Sequence, residues 1–381
     1  MEKILDFLSF RDIVSLQKVS FTTRHCINRV KPDPNFSKVS IKSFSSSSIQ
    51  VTYSFQLEND DIQVNYQKSG IDCSVNNRLV FGRIHDTLRD DLFQNLKNQK
   101  SCLDEFRLDF IYEILTQQYK VAQLHNPRRV LPTSAMQKIL KMNRFSKKNL
   151  EDFVPDINYD PMSEPLFNPL FFQFNGEKFM HSFLASILQH RKSLFPVRKL
   201  ILSPFNSADL SSCLKLFDSK FLETIEIRSL LNSKLETVID LDILSDLEQW
   251  KSANTFIMND WIIPAEISPP QFIHFSTSEI EVEKLTSEKV FEFKEALLTS
   301  RTLKKVKIDF ETFSDEHLHM MGVPFQQEDD EMAEKRKVWY YRMLEQPEFA
   351  LQVLYHIDKC VIFSRVKIEK VPVNAFPIIE E

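Results

Sequence analysis

The chain carries one short pattern repeatedly, and its clearest copy is the stretch LETIEI at residues 222–227. Apolar side chains stand there at Leu222, Ile225 and Ile227, so the spacing is apolar-x-x-apolar-x-apolar. Further copies begin at residues 103, 197, 253, 303 and 363, and a weaker copy begins at 277. Because side chains alternate between the two faces of a strand, each copy predicts a strand whose last two apolar residues are buried.

Predicted helices lie between some of these strands. They cover residues 209–221 and 287–300, and an amphipathic helix around 179–188 precedes the copy at 197. Successive copies from 197 to 303 begin 24 to 31 residues apart, and this period favours a leucine-rich-repeat-like solenoid. A series of βαβ crossovers in an ordinary parallel sheet is the alternative, because the asparagine expected after each repeat strand is out of register.

The first 30 residues predict three short helices, which are too few to bury a core of their own. Ser9 and Asp12 resemble a capping box for the second helix, and Pro32 ends the third. The helices carry six aliphatic residues at helical spacing: Ile4, Leu5, Leu8, Ile13, Leu16 and Val19. These residues face either the rest of the chain or a partner protein, and the spacing alone favours neither.

A β-rich segment follows the helices. Residues 49–57 and 62–66 alternate strictly between apolar and polar side chains, and the polar residues 58–61 between them predict a turn. We therefore expect an antiparallel β segment at the start of the larger domain.

Composition excludes several classes of protein. Glycine occurs 4 times in 381 residues and phenylalanine 33 times, and neither glycine-rich phosphate-binding motif is present. The net charge of −5 gives no basic surface for nucleic acid. Five widely spaced cysteines indicate reduced thiols, and no signal peptide or apolar run of membrane length occurs. We expect a cytoplasmic or nuclear protein that binds neither nucleic acid nor membrane.

Candidate catalytic and metal-binding residues are few. His317 and His319 lie beside Asp315 and Glu316, but no second pair of ligands accompanies them, so a polar loop is favoured over a zinc site. Cys26 falls on the apolar side of a predicted helix, which favours an inert buried thiol. Neither G-x-S-x-G nor H-E-x-x-H occurs. We expect no catalytic residues, no metal, no cofactor and no enzymatic activity.

The face of the predicted strands that helices leave open carries mixed charges and two isoleucines expected to be exposed. One row across it is predicted to hold Ile201, Glu226, Ile257, Glu281 and Lys307. Mixed charge suits a protein partner better than a nucleic acid. The candidate substrate-binding residues are Ile201, Glu226, Arg228, Ile257, Asn259, Glu281, Lys305 and Lys307. A plain solvated surface is an equal alternative, because charged rows are common there.

Taken together, these stretches resemble the nematode F-box A family, in which an N-terminal F-box precedes an FTH domain. The F-box resemblance rests on residues 3–5, 7–10, 12–13 and 15–20, on Arg24, and on the KPDP sequence at 31–34. The FTH resemblance rests on residues 197–200, 222–227, 249–251, 274–275 and 363–366. The resemblance is weakest over residues 120–175.

The resemblance implies a fold and a division of the chain. We expect an α/β protein with a short three-helix F-box at 1–31 that lacks the usual Leu-Pro lead-in and is therefore truncated at its N-terminus. A β-rich connecting segment would follow at 32–100. A leucine-rich-repeat-like strand-helix recognition domain would fill 101–381, with an FTH-like core at about 177–330.

The resemblance also implies a function. We expect a substrate-recognition subunit of a cullin-based ubiquitin ligase, in which the six aliphatic residues dock on a Skp-type adaptor and the larger domain holds an unknown protein substrate. The alternative is a non-enzymatic interaction scaffold of the same fold that has lost adaptor binding, because the F-box is short. An unrecognised enzyme is the third and weakest hypothesis.

Overall fold

A computed structural model of the chain shows one mixed sheet of fourteen strands with helices against it. The residues that the structure describes are 10–30, 32–45, 47–56, 61–109, 179–188, 191–204, 207–228, 240–259, 261–263, 267–325, 335–357 and 359–376.

The strands are β1 (Phe36–Ser45), β2 (Ser48–Phe55), β3 (Ile62–Ser69), β4 (Asp72–Val75), β5 (Arg78–Val80), β6 (Leu103–Asp109), β7 (Val197–Leu202), β8 (Thr224–Arg228), β9 (Thr255–Asn259), β10 (Thr277–Thr286), β11 (Lys305–Ser314), β12 (Arg336–Arg342), β13 (Phe349–His356) and β14 (Cys360–Lys367). Their order across the sheet is β12-β13-β14-β11-β10-β9-β8-β7-β6-β1-β2-β3-β4-β5.

The centre of the sheet is parallel and both flanks are antiparallel. β1 and β6 to β11 run side by side in the same direction. β2 to β5 extend the sheet as an antiparallel meander from β1, and β14, β13 and β12 do the same from β11. The parallel strands β6 to β11 carry the copies of the apolar sequence pattern, because their side chains that face the helices are buried.

Helices cover one face of this sheet. They are α3 (Ile84–Leu96), α4 (Phe179–Leu188), α5 (Ser207–Leu214), α6 (Leu241–Ser245), α7 (Glu248–Ser252) and α8 (Ser287–Leu298). Their buried residues join the apolar strand residues in one large core that is rich in phenylalanine. At the start of α8 the Thr286 side chain accepts a hydrogen bond from the Lys289 amide at 3.3 Å, which fixes the end of β10 against the helix.

Two N-terminal helices stand apart from this core: α1 (Phe10–Val19) and α2 (Phe21–Val30). Ser20 caps the N-terminus of α2, since its hydroxyl accepts a hydrogen bond from the Thr23 amide at 3.0 Å. Ile13 and Ile27 are buried against each other with Leu16 and Val30 partly buried beside them, and this cluster is separate from the main core. Among the described side chains, these four residues form the apolar contact between the two helices.

The predicted fold class is wrong. Of the three helices expected in a short N-terminal F-box, the described residues show α1 and α2, and residues 1–9 lie outside them, so the three-helix F-box is not seen. The leucine-rich-repeat-like domain is replaced by one mixed fourteen-stranded sheet. The reason is that apolar spacing marks a strand but not its direction. The copy at residue 363 lies in β14, which runs antiparallel to β11, and β1 joins the parallel strands from outside the repeat.

Several local predictions are confirmed. Every copy of the pattern marks a strand, and the alternating segments form β2 and β3, which pair antiparallel. The helix predicted around 179–188 is α4, and the one predicted at 287–300 is α8. The helix predicted at 209–221 is shorter, because Phe217 leaves it to bridge Phe195. The domain limits stay a prediction.

Candidate functional site

The face of the sheet opposite helices α3 to α8 carries the candidate binding surface, which we call the open face. It consists of the side chains on β6 to β11 that point away from the helices: Glu105, Arg107, Asp109, Lys199, Ile201, Thr224, Glu226, Arg228, Thr255, Ile257, Glu279, Glu281, Lys305, Lys307 and Asp309. Buried core residues alternate with these positions along each strand, which is why they share one face. Charged residues dominate it.

Ion pairs tie neighbouring positions of the open face together. On β7 and β8 the Glu226 carboxylate lies 2.8 Å from Lys199 Nζ and 2.5 Å from an Arg228 guanidinium nitrogen. On β10 and β11 Lys305 Nζ lies 2.8 Å from Glu279, and Lys307 Nζ lies 2.6 Å from Asp309. Two of these four pairs join neighbouring strands and two lie within a single strand, and we call the four pairs together the charge ladder.

Burial and charge act against each other at Glu226. Burial favours the neutral carboxyl, but hydrogen bonds and charges from Lys199 and Arg228 more than offset this, so the pKa of Glu226 lies below its ordinary value. At Lys307 burial disfavours the ammonium, yet the Asp309 carboxylate raises the pKa of Lys307 above its ordinary value. Both groups therefore keep their charges at neutral pH.

The open face is not uniformly accessible. Ile201 is only 1% exposed and Glu226 only 4%, whereas Glu279, Glu281, Lys305 and Lys307 are half-buried. The expectation that Ile201 is exposed is wrong. In the sheet register it lies between Arg107 and Glu226, and long charged side chains commonly bury their stems along a neighbouring apolar group. Ile257 is half-buried.

The register of β10 differs from the predicted row. Thr277 lies opposite Thr255, so Glu279 stands beside Ile257 and Lys307, while Glu281 lies opposite Asp309. The structure therefore brings Ile201, Glu226, Ile257, Glu279 and Lys307 into one row, with Glu281 one step further along. Asn259 pairs with Arg228 in the backbone ladder, and its side chain lies outside what the structure describes.

Sequence reasoning missed the neighbours of this row on the antiparallel flank. Ile362 lies opposite Lys307, and Leu354 and Val338 follow it on β13 and β12. A small cluster around Tyr340, Ala350, Val371 and Ala375 lies next to them. The only sequence signal was the pattern copy at 363, which marks β14 as a strand without saying that it pairs with β11.

The residues predicted to bind an adaptor lie in different surroundings. Ile4, Leu5 and Leu8 are outside the described residues. Ile13 is buried against Ile27, so it holds the helix pair together. Leu16 is half-buried at the edge of that cluster, and Val19 is 72% exposed.

His317, which was considered as a metal ligand, contacts other protein groups. Nε2 of His317 lies 3.1 Å from the Glu288 carboxylate, and its backbone amide donates to Ser287 Oγ. Among the described residues no group of three or more His, Cys, Asp or Glu side chains gathers as metal ligands would. The described cysteines are free thiols, and burial raises the pKa of the Cys213 thiol. The Cys26 side chain is outside the described part of the chain.

No helix within the described ranges has the length and apolar character needed to cross a membrane.

Comparison with known proteins gives two matches and one absence. Residues 177–327 match the model of the FTH domain, a segment that contains β7 to β11. The chain is also similar to F-box A protein 224 of Caenorhabditis elegans, with 28% identity over 130 residues, which is 34% of this chain and 31% of that protein. The match thus spans about a third of the length of that relative. No solved structure matches the chain.

These matches support the resemblance in one part of the chain. The FTH match covers most of the strands that carry the open face, and it leaves out α1 and α2. The N-terminal F-box is therefore not shown by the comparisons.

Proposed function

We propose that this chain is a non-catalytic substrate-recognition subunit of a cullin-based ubiquitin ligase. Its N-terminal helix pair contacts a Skp-type adaptor, and its open face holds a protein substrate. One observation carries the proposal: the stretch that matches the FTH domain builds a sheet face that lies opposite the described helices and carries paired charges. The similarity to an F-box A protein is the reason for proposing an adaptor and a ligase as partners.

The charge ladder suits a protein partner. Exposed ion pairs contribute only about 0–1 kcal/mol each, so a partner can exchange them for its own charges at little cost. Glu279 and Lys305 form such a pair on β10 and β11, with side chains that are 35% and 40% exposed. Complementary charges then set which protein binds and how fast, more than how tightly. We infer that substrate contact centres on Glu279, Glu281, Lys305 and Lys307.

The helix pair has the character of an adaptor contact. Its described side chains include a buried cluster of its own, and Val19 lies on its surface. Burial of Val19 and the exposed part of Leu16 contributes about 1.5–3 kcal/mol each at most, whereas association costs roughly 4–15 kcal/mol. We infer that Ile4, Leu5 and Leu8 supply the rest of the contact.

A second candidate is an interaction scaffold of the same fold that does not reach a ligase. The match to the FTH domain favours it, because the matched segment contains β7 to β11, which carry most of the open face, and a binding surface there does not depend on a ligase. This candidate keeps the open face as a binding surface and assigns no partner to Val19.

Capture by a purified Skp adaptor separates the two candidates. We expect the full chain to bind the adaptor and Val19→Asp to weaken binding by about tenfold or more, because a carboxylate replaces buried aliphatic area. Ser15→Asp is the matched control, since Ser15 is also exposed on α1. If the full chain does not bind the adaptor, the ligase function is rejected and the scaffold remains.

Proximity labelling in cells tests the proposed contact between the open face and a protein substrate. Proteins labelled by the intact chain but not by the double variant Lys305→Glu and Lys307→Glu are those held on the open face. Identical labelling by both chains would remove the open face from the proposal.

A further inference from the structure

The sheet ends in two edge strands that differ in how their edges are protected. At β12 the Phe325 amide donates to the Val338 carbonyl at 2.7 Å, so a bridge lies along that edge. At β5 no further strand pairs in the described part of the chain. An uncovered edge presents backbone N–H and C=O groups that can pair with another chain.

The turn before β5 fixes which backbone groups face that edge. Asn76 and Asn77 both have positive φ, 49° and 64°, as a two-residue type I′ hairpin requires. Val75 and Arg78 flank this turn, so they form the hydrogen-bonded pair, and Ser74 and Leu79 form the next, non-hydrogen-bonded pair. The N–H and C=O of Leu79 therefore point away from β4, toward the free edge.

The side chains of this edge are unusually apolar for a surface. Leu79 is 60% exposed and Phe81 is 87% exposed, and Ile71 across the hairpin is also exposed. Cys73 is buried in the core, and Val80 opposite it packs there too, so Leu79 points to the other face of the sheet. An open backbone edge and exposed apolar side chains thus occur in the same short segment.

Positive charge flanks the segment on both sides. Arg78 and Arg83 are exposed, and no ion pair between described residues involves either of them. Asp72 is a carboxylate on the same hairpin, and it accepts a hydrogen bond from the Gly82 amide at 3.1 Å. Two arginines against this one carboxylate leave the net charge of these three residues positive.

We propose that β5 takes up an extended acidic segment of another protein by strand addition. The backbone of Leu79 pairs with the incoming strand, Leu79 and Phe81 contact its aliphatic side chains, and Arg78 and Arg83 attract its carboxylates. This site goes beyond the proposed function, because it lies on the β2–β5 flank and does not use the charge ladder of β10 and β11.

Edge strands are also kept short and basic in order to prevent pairing. β5 is short and its flanking residues are basic, but Leu79 and Phe81 do not fit that role, since exposed apolar residues on an edge promote association. A binding measurement distinguishes an edge that prevents pairing from an edge that takes up a partner strand.

The test uses fluorescence anisotropy with the full chain and two fluorescein-labelled octapeptides, one alternating glutamate with valine and the other lysine with valine. We expect the glutamate peptide to bind and the lysine peptide to bind at least about tenfold more weakly. Leu79→Pro removes the outward N–H without removing a hairpin hydrogen bond, and we expect about tenfold or greater loss. Leu79→Val keeps both the amide and apolar character and is the control.

A charge-reversed variant keeps the test decisive if Leu79→Pro does not fold, which its thermal unfolding would show. We expect Arg78→Glu with Arg83→Glu to prefer the lysine peptide. The proposal is overturned if the glutamate peptide does not bind, if the two peptides bind the intact chain equally, or if charge reversal leaves the preference unchanged.

Discussion

The helix-covered face of the parallel strands carries aromatic rings, whereas the open face of the same strands carries charges. On β9 the ring of Phe256 lies 4.6 Å from Trp250 and 5.5 Å from Phe275, between centroids. On β8 next to it, the Glu226 side chain on the opposite face contacts Lys199 and Arg228. Neighbouring residues of one sheet thus serve packing on one side and charge pairing on the other.

The difference indicates where stability and binding lie. Buried aromatic area stabilises the fold because removing it leaves a cavity that the structure fills only partly. Ion pairs near the surface contribute much less and remain available for exchange with a partner. We expect substitutions to separate these two roles.

The largest effect is expected on the helix-covered face. Phe256→Ala should lower the free energy of unfolding by about 3–5 kcal/mol, because the ring is fully buried among other aromatic side chains. Chemical denaturation followed by circular dichroism measures it. Thr255→Ala is the control on the opposite face of the same strand, with an expected change within about 0.5 kcal/mol. Equal losses for both variants would contradict the assigned roles of the two faces.

A smaller effect is expected at the buried end of the open face. Glu226→Ala should cost about 1–3 kcal/mol, because it leaves two cations facing each other, with partial access to water. The same denaturation measurement applies. Glu279→Ala is the matched control, since its pair with Lys305 is more exposed and should contribute less than about 1 kcal/mol. A larger loss for Glu279→Ala than for Glu226→Ala would show that burial does not set the strength of these pairs.

The smallest effect is the pH dependence that Glu226 brings. Burial acts to raise the pKa of this carboxyl, but its bonds to Lys199 and Arg228 lower it below the ordinary 4.5. The stabilisation is therefore complete above pH 4.5 and is lost as pH falls through the lower pKa of the folded state. We expect the difference in free energy of unfolding between the intact chain and Glu226→Gln to shrink between pH 7 and pH 3. A constant difference over that range would count against the lowered pKa.

Because alternation is a local property, the sequence predicted nine of the fourteen described strands; it did not predict β1, β4, β5, β12 or β13. Each pattern copy became a strand, and α4 and α8 lie where apolar spacing places them. The β10 register shows the limit of such reasoning. The predicted row contained Glu281, and the structure puts Glu279 there. A one-residue slip would move every side chain to the other face, but a two-residue slip keeps the face, so the apolar pattern cannot detect it.

The sequence predicted that the candidate site is a charged strand face, but it did not predict the burial of all its residues. The charged residues of β8, β10 and β11 do lie on one face, as alternation requires. The burial of Ile201 could not be predicted, because it depends on neighbours contributed by β6 and β8. Likewise, Ile13 is buried by Ile27 of the next helix, although the spacing within α1 alone places it among residues that could face a partner.

For nine strands and for the helices α1, α2, α4 and α8, the sequence by itself determined the position of the element and its apolar side, because these properties repeat every two or 3.6 residues along the chain. Only the tertiary structure decided that β1 pairs with β6, that β14 runs antiparallel to β11, and that a single sheet replaces a solenoid. Those pairings join segments far apart in the chain. They depend on how all the strands pack together, and no local pattern records that.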